Sequence, residues 1–460
     1  MKPTRKSTQD VLKELAKPSN IAVHSSAALV GSVEKTAAKE DRKRKEKGGR
    51  QLRRKGGLSA LPGSEVGKSL RLTPWHLLHN LAQALSLSRQ GAGRGLAEHW
   101  GSLKYCQALT AAPDAYIRLS GEGKGIARNY KKLQSHELAQ GLALALARKI
   151  LGKRYPDHFV SIVSADVVIR AGWPKRSSGY PYQPDFFAEV WKPGEPSRVF
   201  PMAVKGNHGR GPNSSYRQLA ACSAYAEAVH IGTWGRTPCL VFSTEFSAEG
   251  PVTTHCLHAS GEGGWLSPSP KHPLENLDDV ARDLNLMPGI QPPLTGSKVP
   301  DSEPGFHVQL QHYPWFHHVL ARTATAGVAA FAGDGGTTAQ YLTKRQGRDR
   351  YATGFAHPTT GSVKDAGHVL FDIPFVGTDH VFRLNDKRVE AFSGVAEDLF
   401  TLLSPRGRND KPLPGGVEQY RREIYDRRGT WPEQVWDEEW GGPVSVHEDG
   451  TVLAIRLLRL

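Results

Sequence analysis

Residues 135–151, SHELAQGLALALARKIL, place Leu138, Leu142, Leu146 and Ile150 at a four-residue spacing, which draws one apolar stripe along a helix. Immediately downstream the texture changes. HFVSIVSADVVIRAG is rich in β-branched residues, is bounded by Pro156 and by the Gly172–Pro174 break, and reads as a strand. PDFFAEVW reads as a second strand, closed by KPGEPS, and RVFPMAVKG as a third. The polar turn NHGRGPNSS leads into a helix, YRQLAACSAYAEAVH, and then a fourth strand, PCLVFSTEF. A helix, three strands, a helix and a strand in that order must bury the sheet under its helices. Residues 134–258 are therefore expected to form an α/β core on a small mixed sheet.

A chain of 460 residues exceeds one core, so further units are expected on both sides. Residues 1–70 read as a basic, largely disordered arm, with a short amphipathic helix around Val11, Leu12 and Leu15. Residues 71–133 read as helical, through PWHLLHNLAQALSLS and LAEHWGSLKYCQAL on either side of GAGRG. Residues 259–305 are rich in Gly, Pro and Ser and read as a linker around one helix, LENLDDVARDL. Residues 306–460 read as an α+β domain. It holds the helix HHVLARTATAGVAAFAG, strands in HVLFDIPFVG and DHVFRLN, the helix SGVAEDLFTLLS, and a closing hairpin turned at Asp449-Gly450.

Within the core, Asp185 opens a strand after Pro184 and Lys205 ends the next one. If these strands are neighbours, carboxylate and amine converge at one edge of the sheet. A carboxylate can hold a hard divalent ion, and a lysine beside it can orient a water or offset charge on a phosphorane. Side chains 203 and 205 share a face, so an acid at 203 would complete a metal seat. Ala203 stands there instead. Glu189 lies on the face of Asp185 but roughly 13 Å along an extended chain, too far to share an ion.

In element order and local motif, residues 134–246 resemble the PD-(D/E)XK nuclease superfamily. Pro184-Asp185 matches the PD, and Ala203-Val204-Lys205 matches (D/E)-x-K without its acid. Gly206 recurs in relatives, and Glu137 matches the acid many members carry on the preceding helix. Gln218 and Tyr225 resemble, at longer spacing, a polar pair of the RecB-like branch. The resemblance implies a restriction-endonuclease-like core and Mg²⁺ or Mn²⁺ held by Glu137, Asp185 and the backbone carbonyl of Val204. Glu227, on the following helix, is the candidate substitute for the missing acid. Lys205 would assist the attacking water, which makes Glu137, Asp185 and Lys205 the candidate catalytic set.

The formal charge of +15 is uneven. Lys35–Lys55 carries eleven basic residues against three acids, an electrostatic footprint for a polyanion. Arg42, Lys43, Arg44, Lys45, Arg53, Arg54 and Lys55, with Arg217 and Gln218 on the later helix, are the candidate nucleic-acid contacts. DNA is the expected partner and RNA the other possibility. A homodimer or a protein partner would engage the C-terminal domain, where Trp431, Trp436 and Trp440 sit among acids as core or interface anchors. Four scattered cysteines, no secretion signal and no apolar run of roughly 18–20 residues place the expectation in the cytoplasm, away from a membrane. Two readings follow. One is a metal-dependent DNA endonuclease of restriction or phage-defence type. The other is a catalytically inactive nucleic-acid-binding or scaffolding subunit on the same core, which Ala203 favours.

Overall fold

A computed structural model describes residues 6–49, 51–88, 98–111, 115–174, 182–209, 211–233, 235–290, 302–352, 363–404 and 415–458. A large mixed sheet runs through the first two thirds of the chain. Its strands are β1 (Ser19–His24), β2 (Ser69–Leu72), β3 (Phe159–Ser164), β4 (Phe186–Trp191), β5 (Ser197–Asn207), β6 (Cys239–Glu245) and β7 (Thr253–Ala259). They lie in the order β2-β1-β7-β6-β5-β4-β3, with short strands at Leu58–Ser59 and Trp265–Leu266 alongside β7 and β5. The β3-β4-β5 meander is antiparallel and β5 runs parallel to β6. A parallel step needs a crossover, which helix α6 (Asn213–Glu227) supplies between β5 and β6.

The β5 sequence alternates as a two-sided strand must. Phe200, Met202 and Val204 face one core, with Leu138, Leu142 and Leu146 of the long helix α4 (Arg128–Arg154) and residues of α3 (Pro74–Leu85). Ala203 faces the other, under Leu219, Ala220 and Cys222 of α6. The four-residue leucine spacing thus does become the face that covers the sheet.

The N-terminal segment is not disordered, which corrects the expectation for residues 1–70. Helix α1 (Thr8–Leu15) begins with a reciprocal cap between Ser7 and Asp10 and buries Val11, Leu12 and Leu15. Helix α2 (Ala27–Glu46) is capped by Ser26. Its apolar first half, through Leu29 and Val33, packs on α6, and Lys43, Arg44 and Lys45 fall in its last turn, where cations suit the helix dipole. Composition pointed to an unfolded run because the apolar anchor and the basic run are adjacent rather than interleaved.

Two local expectations also fail. HFVSIVSADVVIRAG splits into β3 and a helix, α5 (Ala165–Gly172). LENLDDVARDL is not helical. Asn276 turns the chain by accepting from Asp278 N at 3.0 Å, and the carbonyls of Leu277 and Arg282 serve Arg322 and Trp315. The two partners sit on helix α7 (Tyr313–Phe331).

The C-terminal part forms a separate antiparallel sheet. Its strands are β8 (Val363–Leu370), β9 (Ile373–Leu384), β10 (Lys387–Ala396), β11 (Trp436–Asp437), β12 (Gly442–Val446) and β13 (Thr451–Leu457), ordered β8-β9-β10-β13-β12-β11. The turn at Asp449-Gly450 joins β12 to β13 with Gly450 at φ +80°. Helix α8 (Gly416–Asp426) links this part back to the large sheet. Its Arg421 pairs with both oxygens of buried Glu189, at 3.1 and 3.3 Å, and stacks on Trp191. Trp440 is buried against His368, Phe392 and Arg456. Among the described residues no helix is long and apolar enough to cross a membrane.

Candidate functional site

Asp185 and Lys205 belong to neighbouring strands, and the backbone fixes their approach. Asp185 N donates to Met202 O at 2.8 Å, and Val204 N donates to Asp185 Oδ2 at 2.7 Å. The aspartate is thereby clamped to the strand that carries Lys205. The Lys205 ammonium lies 4.4 Å from the centre of the Tyr225 ring. Glycine follows the lysine because α4 passes hard against this strand end: a Cβ on Gly206 would stand 1.8 Å from Ser135 O. That close approach puts His136, the next residue of α4, beside Asp185 and Lys205.

Asp185 borders a cavity of about 310 Å³ whose wall also includes Asp166, Gln140, Gln183 and Tyr225. Gln183 donates to Asp166 at 3.3 Å, and Asp166 also pairs with Arg170 at 3.0 Å. Burial raises the pKa of Asp185, against the pull of Lys205, His136 and the Val204 N–H. Burial also lowers that of His136. For Lys205 burial opposes the charge, but Asp185 with Cys222 and Tyr225 outweighs it, so the ammonium is held more firmly than usual. The arrangement offers a firmly held cation and a reluctant carboxylate side by side, which suits the electrostatic recognition of a phosphate.

The acids predicted to share a metal with Asp185 do not gather there. Glu137 is buried, where it accepts from Tyr105 at 2.5 Å and pairs with Lys104 at 2.6 Å. Helical geometry explains this: adjacent residues diverge by about 100°, so His136 can face the strand ends only if Glu137 turns away. Glu227, at the last turn of α6, bonds His230 at 2.8 Å and faces Lys55 and Arg53 at 3.4 and 3.9 Å. Ala203 is fully enclosed in the apolar layer beneath α6. Among the described residues, no three ligating side chains form a group that could hold a metal ion. The predicted ligand set, Glu137 and Asp185 with the Val204 carbonyl and Glu227 as substitute, does not fit such an ion.

The basic candidates divide in two. Arg53, Arg54 and Lys55 turn inward. Arg53 donates to Pro304 O at 2.7 Å and meets Glu303 at 3.3 Å. Arg54 pairs with Asp41 at 3.1 Å and Glu40 at 3.3 Å and bonds the carbonyl of Ala220. Lys55 is buried against Glu227. Arg42, Lys43, Arg44 and Lys45 stay exposed on α2, as does Arg217 on α6. Gln218 serves the fold: it donates to Gly206 O at 2.9 Å and accepts from Asn207 at 2.8 Å and Ser243 at 2.7 Å.

Sequence reasoning passed over His136, Gln140, Asp166 and Tyr182. His136 had one signal available, its place beside Glu137 on the long helix. Tyr182 matters because it joins the exposed basic helix to the cavity. Arg44 donates to the Tyr182 hydroxyl at 3.1 Å, the Tyr182 ring meets Tyr225 edge-on at 5.1 Å, and Tyr225 underlies Lys205. No protein family, curated protein or solved structure matches the chain.

Proposed function

We propose that this chain is a nucleic-acid-binding protein on a restriction-endonuclease-like core whose metal-dependent cleaving centre is incomplete. The observation that carries this reading is the continuous line from exposed α2 through Arg44, Tyr182 and Tyr225 to Lys205 beside Asp185. Phosphates tracked by Lys43, Arg44 and Lys45 lead a strand towards a lysine already poised for anion contact. The dispersal of Glu137 and Glu227 into structural ion pairs, with apolar Ala203, supports binding over hydrolysis.

A second reading, a DNA endonuclease of restriction or phage-defence type, is favoured by the approach of Asp185, Lys205 and His136 to one another. One experiment separates the two. Purified protein is incubated with duplex and single-stranded DNA, and with RNA, in Mg²⁺ or Mn²⁺, while binding is followed in parallel. Binding without cleavage supports the first reading. Cleavage abolished by both Lys205→Ala and Asp185→Asn replaces it with the second. Absence of binding to every nucleic acid removes both.

A further inference from the structure

Helix α4 begins before the core that it covers. Its burial starts at Gln134, and the residues ahead of it, RNYKKL from Arg128 to Leu133, form about a turn and a half that is exposed apart from half-buried Lys131. Tyr130 is 61% exposed and Leu133 43%, and their spacing of three makes them neighbours on the helix surface. Neither joins an apolar core of the chain.

A polar line runs along the same helix. Arg128, Lys132, His136 and Gln140 recur every four residues and so share one stripe. The stripe passes from exposed Arg128 and Lys132 to half-buried His136 and Gln140. Lys132 acts electrostatically on His136, the His136 and Gln140 side chains meet at 3.3 Å, and Gln140 walls the Asp185 cavity. Lys131, to one side, lies beside His208 in the turn that follows Lys205. The free end of α4 is thereby continuous with the surroundings of Asp185 and Lys205.

Residues 120–135 hold four bases, Lys124, Arg128, Lys131 and Lys132, against one acid, Glu122. The next acid along the helix, Glu137, is spent on Lys104 and Tyr105. Cations are disfavoured where a helix begins, and this one has neither an acid in its first turn nor a side-chain cap. Such a charge excess calls for an anion from outside the chain. The exposed ring and leucine beside it call for a partner with flat apolar faces as well. A duplex keeps its base faces stacked inside and presents phosphates, whereas a single strand presents both.

We infer that the free end of α4 takes single-stranded nucleic acid in preference to a duplex, with phosphates along Arg128 and Lys132 and bases against Tyr130 and Leu133. The inference rests on the nucleic-acid reading above and adds strandedness to it. DNA and RNA single strands share this chemistry.

Fluorescence anisotropy of the full chain tests it with oligothymidylate, oligouridylate and a DNA duplex of equal length, at equal salt. At least one single strand is expected to bind more tightly than the duplex, and the tighter of the two identifies the sugar. Tyr130→Ala should weaken that strand roughly fivefold or more while leaving the duplex unchanged, and Tyr130→Phe should keep the affinity. Lys132→Gln should lower its salt slope by about 0.7. Both side chains are exposed, so neither change disturbs the core. A duplex bound as tightly as either strand, single-strand affinity unmoved by Tyr130→Ala, or a slope unmoved by Lys132→Gln would each overturn this inference alone and leave the surface to another partner. No binding of any nucleic acid would remove the nucleic-acid reading together with it.

Discussion

Arg44 donates its guanidinium hydrogen bond to the hydroxyl of Tyr182 at 3.1 Å, tying the basic end of one helix to the segment that leads into Asp185. The contact spans 138 positions of the chain. It sets one exposed base of α2 against the Tyr182–Tyr225 pair beside Lys205.

Neutralising the exposed end of α2 should therefore weaken nucleic-acid binding without unfolding the protein. In the triple variant Lys43→Gln, Arg44→Gln, Lys45→Gln, the slope of log affinity against log salt on duplex DNA should fall by up to about 2.7, near 0.9 for each phosphate no longer neutralised. Fluorescence anisotropy across salt concentrations measures this. An unchanged slope would take the helix out of the binding surface.

The inward-turned bases should behave in the opposite way. Lys55 and Glu227 form a buried ion pair at 3.4 Å, and removing one partner strands the other. Glu227→Gln is expected to cost about 3–5 kcal/mol in urea denaturation while leaving the salt slope of binding intact. A loss below about 1 kcal/mol would contradict the pairing.

At Gly206 the expected effect is steric. An added methyl group meets the backbone oxygen of Ser135 rather than a side chain that could swing away. Gly206→Ala should destabilise by about 3 kcal/mol, and the mismatch should displace His136 from Asp185. Stability near wild type, with binding unchanged, would show that α4 does not press on the strand end.

Acid should loosen the fold through its buried histidines. Burial holds His99 down to about 3, and His317 and His318 to about 4; burial with the neighbouring His24 does the same for His255, to about 4. The unfolded chain takes up these protons near pH 6.5 and the folded chain does not. Their contribution is complete above about pH 6.5 and is lost as the pH falls towards 4, on the order of 3 kcal/mol for each. Urea midpoints at pH 7.5, 6 and 5 check the direction. A midpoint that rises on acidification would refute it.

Much of the central architecture was legible in the residues. The leucines of α4 at helical spacing, the strands PDFFAEVW and RVFPMAVKG, and the Asp449-Gly450 hairpin all encode local periodicity, and local periodicity survives folding. LENLDDVARDL shows the limit of that logic, because its carbonyls are taken by Arg322 and Trp315 of a distant helix. His136 and Glu137 show it more sharply. Both are polar residues, adjacent within one helix, and only the crossing of that helix over Gly206 selects which of them faces Asp185.

By itself the sequence determined the strands that carry Asp185 and Lys205, the helix between the latter and the next strand, and the absence of an acid at position 203. These depend on residue type and on spacing within a few turns. Tertiary structure alone decided that the basic run begins as the exposed end of a helix anchored on α6, that Arg53, Arg54 and Lys55 face inward, and that Glu137 and Glu227 are spent on ion pairs. The reason is physical: a charge takes its role from what it meets after burial, and those partners lie far away along the chain.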